Sequence, residues 1–276
     1  MNCPNVGANG MTMPKLGLGT WKLSGASCTD AVRRALDLGY RHIDTAEMYG
    51  NEAEIGTALA QASVARDKIF LTSKVWLEHL APDALTSALE ASLRRLRCDY
   101  LDLYLIHWPA PGMNLAASLG AMMRARAAGK IRHIGVSNFP VALLREAVEV
   151  IGAPIACNQV EYHVLLGQRA VLEYARAHDI VVSAYCPLAQ GRLGEHPVLD
   201  QIAAKHQISA AQVALAWLFA QESVAAIPKA ARAESQQANL AALAVRLDAQ
   251  DHAAIAALPK NQRFVNPGFA PPWDAA

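Results

Sequence analysis

The sequence alternates short apolar runs with longer segments of helical period, and this alternation constrains the fold most. Each run is rich in branched apolar residues and is followed by a stretch rich in alanine, leucine and arginine. Strands that alternate with helices pair in parallel through right-handed crossovers, and eight such units can close into a barrel. We therefore predict an α/β fold, a (β/α)₈ TIM barrel. The predicted strands are residues 16–20, 41–44, 70–74, 103–107, 134–137, 157–160, 182–185 and 225–228.

Helical period and end signals predict helices that include residues 30–38, 82–96, 141–151, 169–178 and 209–221. The pattern alone also allows an open doubly wound sheet. However, the GLGTW segment at 17–21 lacks the third glycine of a GxGxxG motif and does not open a helix after a strand. Ahead of the first strand, Asn9-Gly10 predicts a tight turn in a β-hairpin that caps the barrel.

Length and composition favour a single enzyme-sized domain. The 276 residues suit one barrel domain, 1–276, and a formal net charge of +1 gives no field that favours nucleic acid or an acidic membrane. The five cysteines are scattered without CxxC spacing, which argues against a disulfide framework or a zinc site. The N-terminus does not resemble a secretory signal, and no apolar run approaches the roughly 20 residues that span a bilayer. We expect a cytoplasmic monomer that binds no metal, nucleic acid or membrane.

Four titratable residues stand at or just after predicted strand ends. Asp44, Lys74 and His107 each close an apolar run, and Tyr49 lies in the loop after the second strand. Each residue alone has an ordinary structural explanation, such as a loop cap or a buried hydrogen bond. In a barrel, however, the carboxyl ends of the strands share one face, where reactive groups lie. We therefore expect the four side chains to form one site.

Proton donation is the chemistry that suits this set. A phenol has a pKa of about 10, and a neighbouring ammonium lowers that pKa by favouring the phenolate. Asp44 can hold Lys74 as a paired carboxylate, and a neutral His107 can hydrogen-bond a carbonyl oxygen. Side chains do not donate hydride, so a reduction at this site requires a cofactor.

Several motifs resemble those of the aldo-keto reductases. They are GYRHIDTAEMYGNEAEIG at 39–56, RHIGVSNF at 132–139, AIPKA at 226–230 and the tail RFVNPGFAPPWD at 263–274. The chain is most similar to the short bacterial members that reduce 2,5-diketo-D-gluconate and methylglyoxal. The resemblance implies NADPH-dependent reduction of small aldehydes and ketones to alcohols.

The resemblance also implies roles for individual residues. Asp44, Tyr49, Lys74 and His107 match the catalytic tetrad, with Tyr49 as the proton donor. The positions that match cofactor contacts are Gly19, Thr20, Trp21, Ser137, Asn138, Gln159, Tyr185, Pro187, Leu188, Lys229, Arg232 and Asn239. Those that match substrate contacts are Trp21, Tyr49, Trp76, His107 and Trp108.

The segment expected to hold the cofactor's 2′-phosphate departs from the family pattern. Lys229 is present, but Ala230 replaces the usual serine and Ser235 replaces the usual arginine. Arg232 is an extra cation near a predicted helix start, where a dianion is favoured. We therefore expect NADPH to be preferred, with NADH as a weaker alternative. The short loop after His107 predicts an open pocket for a small-molecule carbonyl substrate.

Two other functions remain open at this stage. A barrel lyase or isomerase acting on a sugar phosphate would use a strand-end lysine as a Schiff base, but it would need a glycine-rich phosphate loop, which the PKAAR segment is not. A non-catalytic nicotinamide-binding protein on the same fold is the second alternative. A metal-dependent hydrolase is disfavoured, since an early HxH pair is absent.

Overall fold

The computed structural model of the protein describes residues 3–193 and 196–275. A two-stranded antiparallel hairpin precedes a sheet of parallel strands. The hairpin consists of β1 (Asn5–Ala8) and β2 (Met11–Pro14). The sheet consists of β3 (Leu18–Gly19), β4 (His42–Asp44), β5 (Phe70–Val75), β6 (Leu101–Ile106), β7 (Ile131–Ser137), β8 (Ile155–Glu161), β9 (Val181–Tyr185) and β10 (Val224–Ala226).

The eight parallel strands form a closed barrel. They pair in sequence order from β3 to β10, and the two edge strands meet. The Gly17 amide donates a hydrogen bond to the Ala226 carbonyl over 2.9 Å. The Gly19 amide donates to the Pro228 carbonyl over 3.1 Å. The predicted barrel is therefore confirmed, and the open sheet is excluded because its edges are bonded to each other.

Helices connect the strands and cover the barrel. Pro82 begins α3 as predicted, and Ser209 caps α8 in a capping box with Gln212. The predicted helix at 141–151 is α5 followed by a π-helical turn, Glu146–Val150. The helices are α1 (Gly25–Asp37), α2 (Glu52–Gln61), α3 (Pro82–Leu96), α4 (Leu115–Ala127), α5 (Val141–Arg145), α6 (Arg169–Ala177), α7 (Pro197–His206), α8 (Ala210–Phe219), α9 (Ala233–Ala241) and α10 (Ala249–Ala256).

The N-terminal hairpin closes one end of the barrel, as predicted. Asn9 and Gly10 have φ angles of 48° and 75°, which both residue types tolerate in a tight turn. The Asn9 side-chain amide donates to the Ile155 carbonyl over 2.8 Å and ties the turn to the start of β8. The buried hairpin side chains pack against the apolar interior of the barrel. They are Val6, Ala8, Met11 and Met13.

The barrel interior is apolar at the hairpin end and polar at the other end. Leu103 and Leu105 on β6 belong to the apolar layer, and His107 follows two residues later. Cys157 on β8 likewise precedes Gln159. Alternate residues of a strand face the same side, so each inward column begins apolar and ends polar. The polar side chains are therefore concentrated at the carboxyl ends of the strands. Within the described residues, no helix is long and apolar enough to cross a membrane.

We predict that Gly135→Ala destabilises the barrel. A Cβ at this position would lie 2.5 Å from Leu105 Cδ2 and 2.7 Å from the Cys157 carbonyl oxygen, which belong to the two neighbouring strands. Such overpacking costs about 1–3 kcal/mol. Gly120→Ala is the control, since its nearest atom is 3.6 Å away and alanine favours a helix by about 0.5–1 kcal/mol. Denaturant unfolding should rank Gly120→Ala above wild type and Gly135→Ala below it. A Gly135→Ala protein as stable as wild type would contradict this packing.

Candidate active site

A buried ion pair lies at the centre of the polar end of the barrel. Lys74 Nζ on β5 donates to Asp44 Oδ1 over 2.5 Å and to the Thr45 carbonyl over 2.7 Å. The other carboxylate oxygen of Asp44 accepts from Gln159 Nε2 over 2.7 Å. Burial lowers the pKa of Lys74, but Asp44 and Tyr49 more than offset this and hold it above its usual value. Lys74 is therefore a fixed ammonium, joined directly to β4 and through Asp44 and Gln159 to β8.

Tyr49 stands on a 3₁₀ turn, Glu47–Tyr49, directly after β4. Its ring centre is 5.1 Å from Lys74 Nζ and 5.6 Å from the His107 ring centre. Desolvation raises the pKa of the Tyr49 hydroxyl, whereas the charge of Lys74 lowers it. Lys74 therefore lowers the pKa of Tyr49 as expected, but the net pKa lies above the usual value. Burial raises this pKa by more than the Lys74 ammonium lowers it.

His107 faces the same space from the end of β6. Burial, followed by the charge of Lys74, holds the pKa of His107 well below its usual value. The ring is therefore neutral at physiological pH. Its centre lies 5.2 Å from that of Trp76, and its Nδ1 is buried without a hydrogen-bond partner among the described residues.

A hydrogen-bond network forms the wall beyond His107. Asn138 has a φ of 63°, and its side-chain amide donates to the His107 carbonyl over 3.0 Å. The Tyr185 hydroxyl donates to Asn138 Oδ1 over 2.7 Å. The Ser137 hydroxyl donates to the Gln159 carbonyl over 2.8 Å, within the barrel wall. This network connects β6, β7, β8 and β9 behind the site.

Three of the four predicted catalytic side chains, Asp44, Tyr49 and His107, line one cleft of about 620 Å³. Lys74 lies beneath the cleft rather than in its lining, because Tyr49 and Asp44 cover it. Thirteen predicted site residues line the cleft: Gly19, Thr20, Trp21, Asp44, Tyr49, His107, Trp108, Asn138, Gln159, Tyr185, Pro187, Leu188 and Lys229. The predicted residues outside the lining are Lys74, Trp76, Ser137, Arg232 and Asn239.

The cleft also includes residues that the sequence did not indicate. Several belong to the loop after β9, in which Ala189 and Gln190 have positive φ values of 47° and 56°. Neither residue type signals a left-handed conformation, so this bend had no clear mark in the sequence. The added lining residues are Lys22, Met48, Cys186, Gln190, Gly191, Ile227, Pro228 and Val265.

The segment with the expected phosphate contacts borders the cleft at Lys229. Lys229 is exposed and lines the cleft, whereas Arg232 is the exposed N-cap residue of α9. Arg34 donates to the Ala231 carbonyl over 2.9 Å and fixes the loop between the two cations. Arg232 makes no ion pair with the described residues. Asn239 is buried beneath this loop, on α9.

A buried carboxylate holds the C-terminal tail against the site. Glu161, at the end of β8, is fully buried and accepts from the Phe264 amide over 2.8 Å and the Val265 amide over 2.9 Å. Val265 lines the cleft. Glu161 has no role in the sequence-based prediction, although a charged residue inside an apolar strand is the signal that could have revealed it.

Aromatic side chains of the tail cover part of the cleft mouth. Phe269 packs edge-on against Trp76 and Trp108, with ring centres 5.9 Å and 5.5 Å apart. Trp273 packs against Trp108 at 6.0 Å. Trp21 stands on the opposite side, 4.9 Å from the Tyr49 ring and 43% exposed. Trp21 thus packs against Tyr49 and Trp76 against His107, although Trp76 does not line the cleft.

Comparison with known proteins establishes the family. Residues 15–260 match the model of the aldo/keto reductase family. The chain is 43% identical to methylglyoxal reductase DkgB of Salmonella typhimurium over 268 residues, which cover 96% of this chain and 100% of the relative. It is 41% identical to a glyoxal reductase of Bacillus subtilis, with 92% of each chain covered.

A solved structure gives the same result. The crystal structure of a candidate 2,5-diketo-D-gluconic acid reductase B superposes with a TM-score of 0.95 at 42% identity, covering 98% of this chain and 97% of the other. The chain belongs to the aldo/keto reductase family and is an oxidoreductase acting on carbonyl or alcohol groups. Enzymes of this family use nicotinamide cofactors.

Proposed function

We propose that this protein reduces small aldehydes and ketones to alcohols with NADPH, and that Tyr49 donates the proton. One observation carries the proposal: Tyr49 and a neutral His107 line one cleft, and a buried, charged Lys74 beneath the cleft lies 5.1 Å from the Tyr49 ring. This is the arrangement that proton transfer to a carbonyl oxygen requires.

The cleft has the groups that a nicotinamide cofactor needs. Asn138 and Gln159, the partly exposed Tyr185 and the exposed Lys229 all line it. Its volume of about 620 Å³ falls in the usual range of ligand sites. When bound, the cofactor supplies the hydride that no side chain can provide. The exposed Lys229 would then face its anionic part.

The side chains divide the proton chemistry among them. Neutral His107 orients the substrate by donating an N–H to the carbonyl oxygen, and Tyr49 transfers its hydroxyl proton to the same oxygen. Lys74 stabilises the phenolate that remains, because an ammonium favours the charged form of a neighbouring phenol. Asp44 keeps Lys74 charged inside the protein, where an unpaired ammonium would be costly.

The same ion pair argues against a Schiff-base enzyme. Lys74 is fully buried and bonded to Asp44, so its amine is neither exposed nor neutral as a nucleophile must be.

A small dicarbonyl such as methylglyoxal is the substrate that the comparisons favour, since the relatives include a methylglyoxal reductase and a glyoxal reductase. The aromatic mouth formed by Trp21 and Trp108 suits a compact, weakly polar substrate.

We predict that Tyr49→Phe removes most NADPH-dependent reduction of methylglyoxal. The phenylalanine keeps the ring but has no proton to donate, and a general acid contributes about 10²–10⁴-fold to the rate. Consumption of NADPH with and without methylglyoxal measures the reaction. Titration of NADPH binding is the control and should give a nearly unchanged Kd. Retention of more than half of the wild-type kcat would contradict the role of Tyr49, and an inactive wild-type enzyme would favour a non-catalytic nicotinamide-binding protein.

We predict that Arg232 contributes, together with Lys229, to preference for NADPH. Arg232 has no ion-pair partner among residues 3–193 and 196–275, so it can turn toward a phosphate at the start of α9. Arg232→Ala should raise KM for NADPH several-fold and leave NADH kinetics almost unchanged. The ratio of kcat/KM for the two cofactors is the measurement. Lys68→Ala, which removes an exposed cation at the hairpin end of the barrel, is the matched control. An unaltered ratio in Arg232→Ala would remove Arg232 from the site.

A further inference from the structure

The Glu47 carboxylate joins two turns at the mouth of the barrel. One is the turn Glu47–Tyr49, and the other is a 3₁₀ turn, Leu77–His79, which follows β5. Glu47 Oε2 accepts a hydrogen bond from the Trp76 amide over 3.0 Å, at the N-cap of the second turn. The Glu47 side chain is only 16% exposed. The bond therefore connects the turn that carries Tyr49 with the segment just after Lys74.

A second contact of Glu47 is weaker in geometry. His79 Nδ1 lies 2.7 Å from Glu47 Oε1 but is not aligned as a hydrogen bond, and His79 is half exposed. Without that alignment the contact restrains the two turns little, although His79 Nδ1 itself is buried. The bond to the Trp76 amide is therefore the one that restrains the two turns.

Each of these turns brings an aromatic ring against the ring of His107. Tyr49 approaches its ring from one side at 5.6 Å, and Trp76 approaches from the other at 5.2 Å. The Trp76 ring is also in contact with Phe269 of the tail. A shift of one turn relative to the other would thus change the spacing between the phenol, the imidazole and the aromatic wall.

We propose that Glu47 is a positioning residue, which fixes Tyr49 and His107 at their working separation by holding the Trp76 amide. The inference rests on the proposed role of Tyr49 as the proton donor. Glu47 itself does not touch substrate. Its contribution is expected in kcat, because misplacement of reacting groups by a fraction of an ångström slows the chemical step more than it weakens cofactor binding.

Three substitutions of Glu47 distinguish the effect of its side-chain length from the effect of its charge. Glu47→Ala removes the acceptor. Glu47→Gln keeps an acceptor oxygen at the same reach but loses the charge, and Glu47→Asp keeps the charge but is one methylene too short to contact the Trp76 amide. Glu78→Ala, a neighbouring exposed glutamate, is the matched control. Methylglyoxal reduction gives kcat, NADPH titration gives Kd, and hydrogen exchange reports protection of the Trp76 amide.

We expect Glu47→Ala and Glu47→Asp to lower kcat by about ten-fold, because misplaced reacting groups slow the chemical step, and to expose the Trp76 amide. The kcat of Glu47→Gln should stay within about two-fold of wild type, because the glutamine oxygen still accepts from the Trp76 amide. The kcat of Glu78→Ala should stay within about the same range, because Glu78 does not hold that amide. No variant should change the Kd for NADPH. An impaired Glu47→Gln beside an active Glu47→Asp would overturn the proposal, because charge would then be the property that matters. Wild-type kcat in Glu47→Ala would overturn it as well. Failure of the proposed function itself would instead appear as an active Tyr49→Phe.

Discussion

The buried ion pair between Lys74 and Asp44 is the interaction on which the rest of the active site depends. An ammonium inside a barrel is stable only if its charge is paired and its hydrogen bonds are made, and here Asp44 and the Thr45 carbonyl meet both needs. Gln159 occupies the remaining oxygen of Asp44, so β4, β5 and β8 are joined at one point. A permanent positive charge beside Tyr49 follows from this arrangement, and the proposed chemistry uses it.

The layered interior of the barrel explains why such a pair can exist. Leu103, Leu105 and Cys157 fill the end next to the hairpin, and the pair above them is buried. The same burial opposes catalysis in part, since it raises the pKa of the Tyr49 hydroxyl while Lys74 lowers it. The burial also keeps His107 neutral. One environment thus acts on the pKa of both Tyr49 and His107.

The strand-end positions were predictable because each follows directly from the end of an apolar run. Asp44, Lys74 and His107 each end an apolar run in the sequence, and parallel strands bring such ends to one face. Long-range contacts were not predictable in this way. The anchoring of the tail by Glu161 connects residues about a hundred positions apart, and the bend after β9 uses left-handed residues that are not glycine. The net pKa of Tyr49 also could not be predicted from the sequence, because it depends on how deeply the hydroxyl is buried.

The pH dependence of turnover in Lys74→Met tests the central role of the ammonium most directly. Reduction requires the protonated phenol and alcohol oxidation requires the phenolate, so the two directions respond oppositely to the pKa of Tyr49. Removal of the charge should slow both directions, raise that pKa and shift the rise of oxidation with pH to more alkaline values. Asp44→Asn should have a smaller effect, because the ammonium remains. A Lys74→Met enzyme with wild-type pH profiles in both directions would contradict the account.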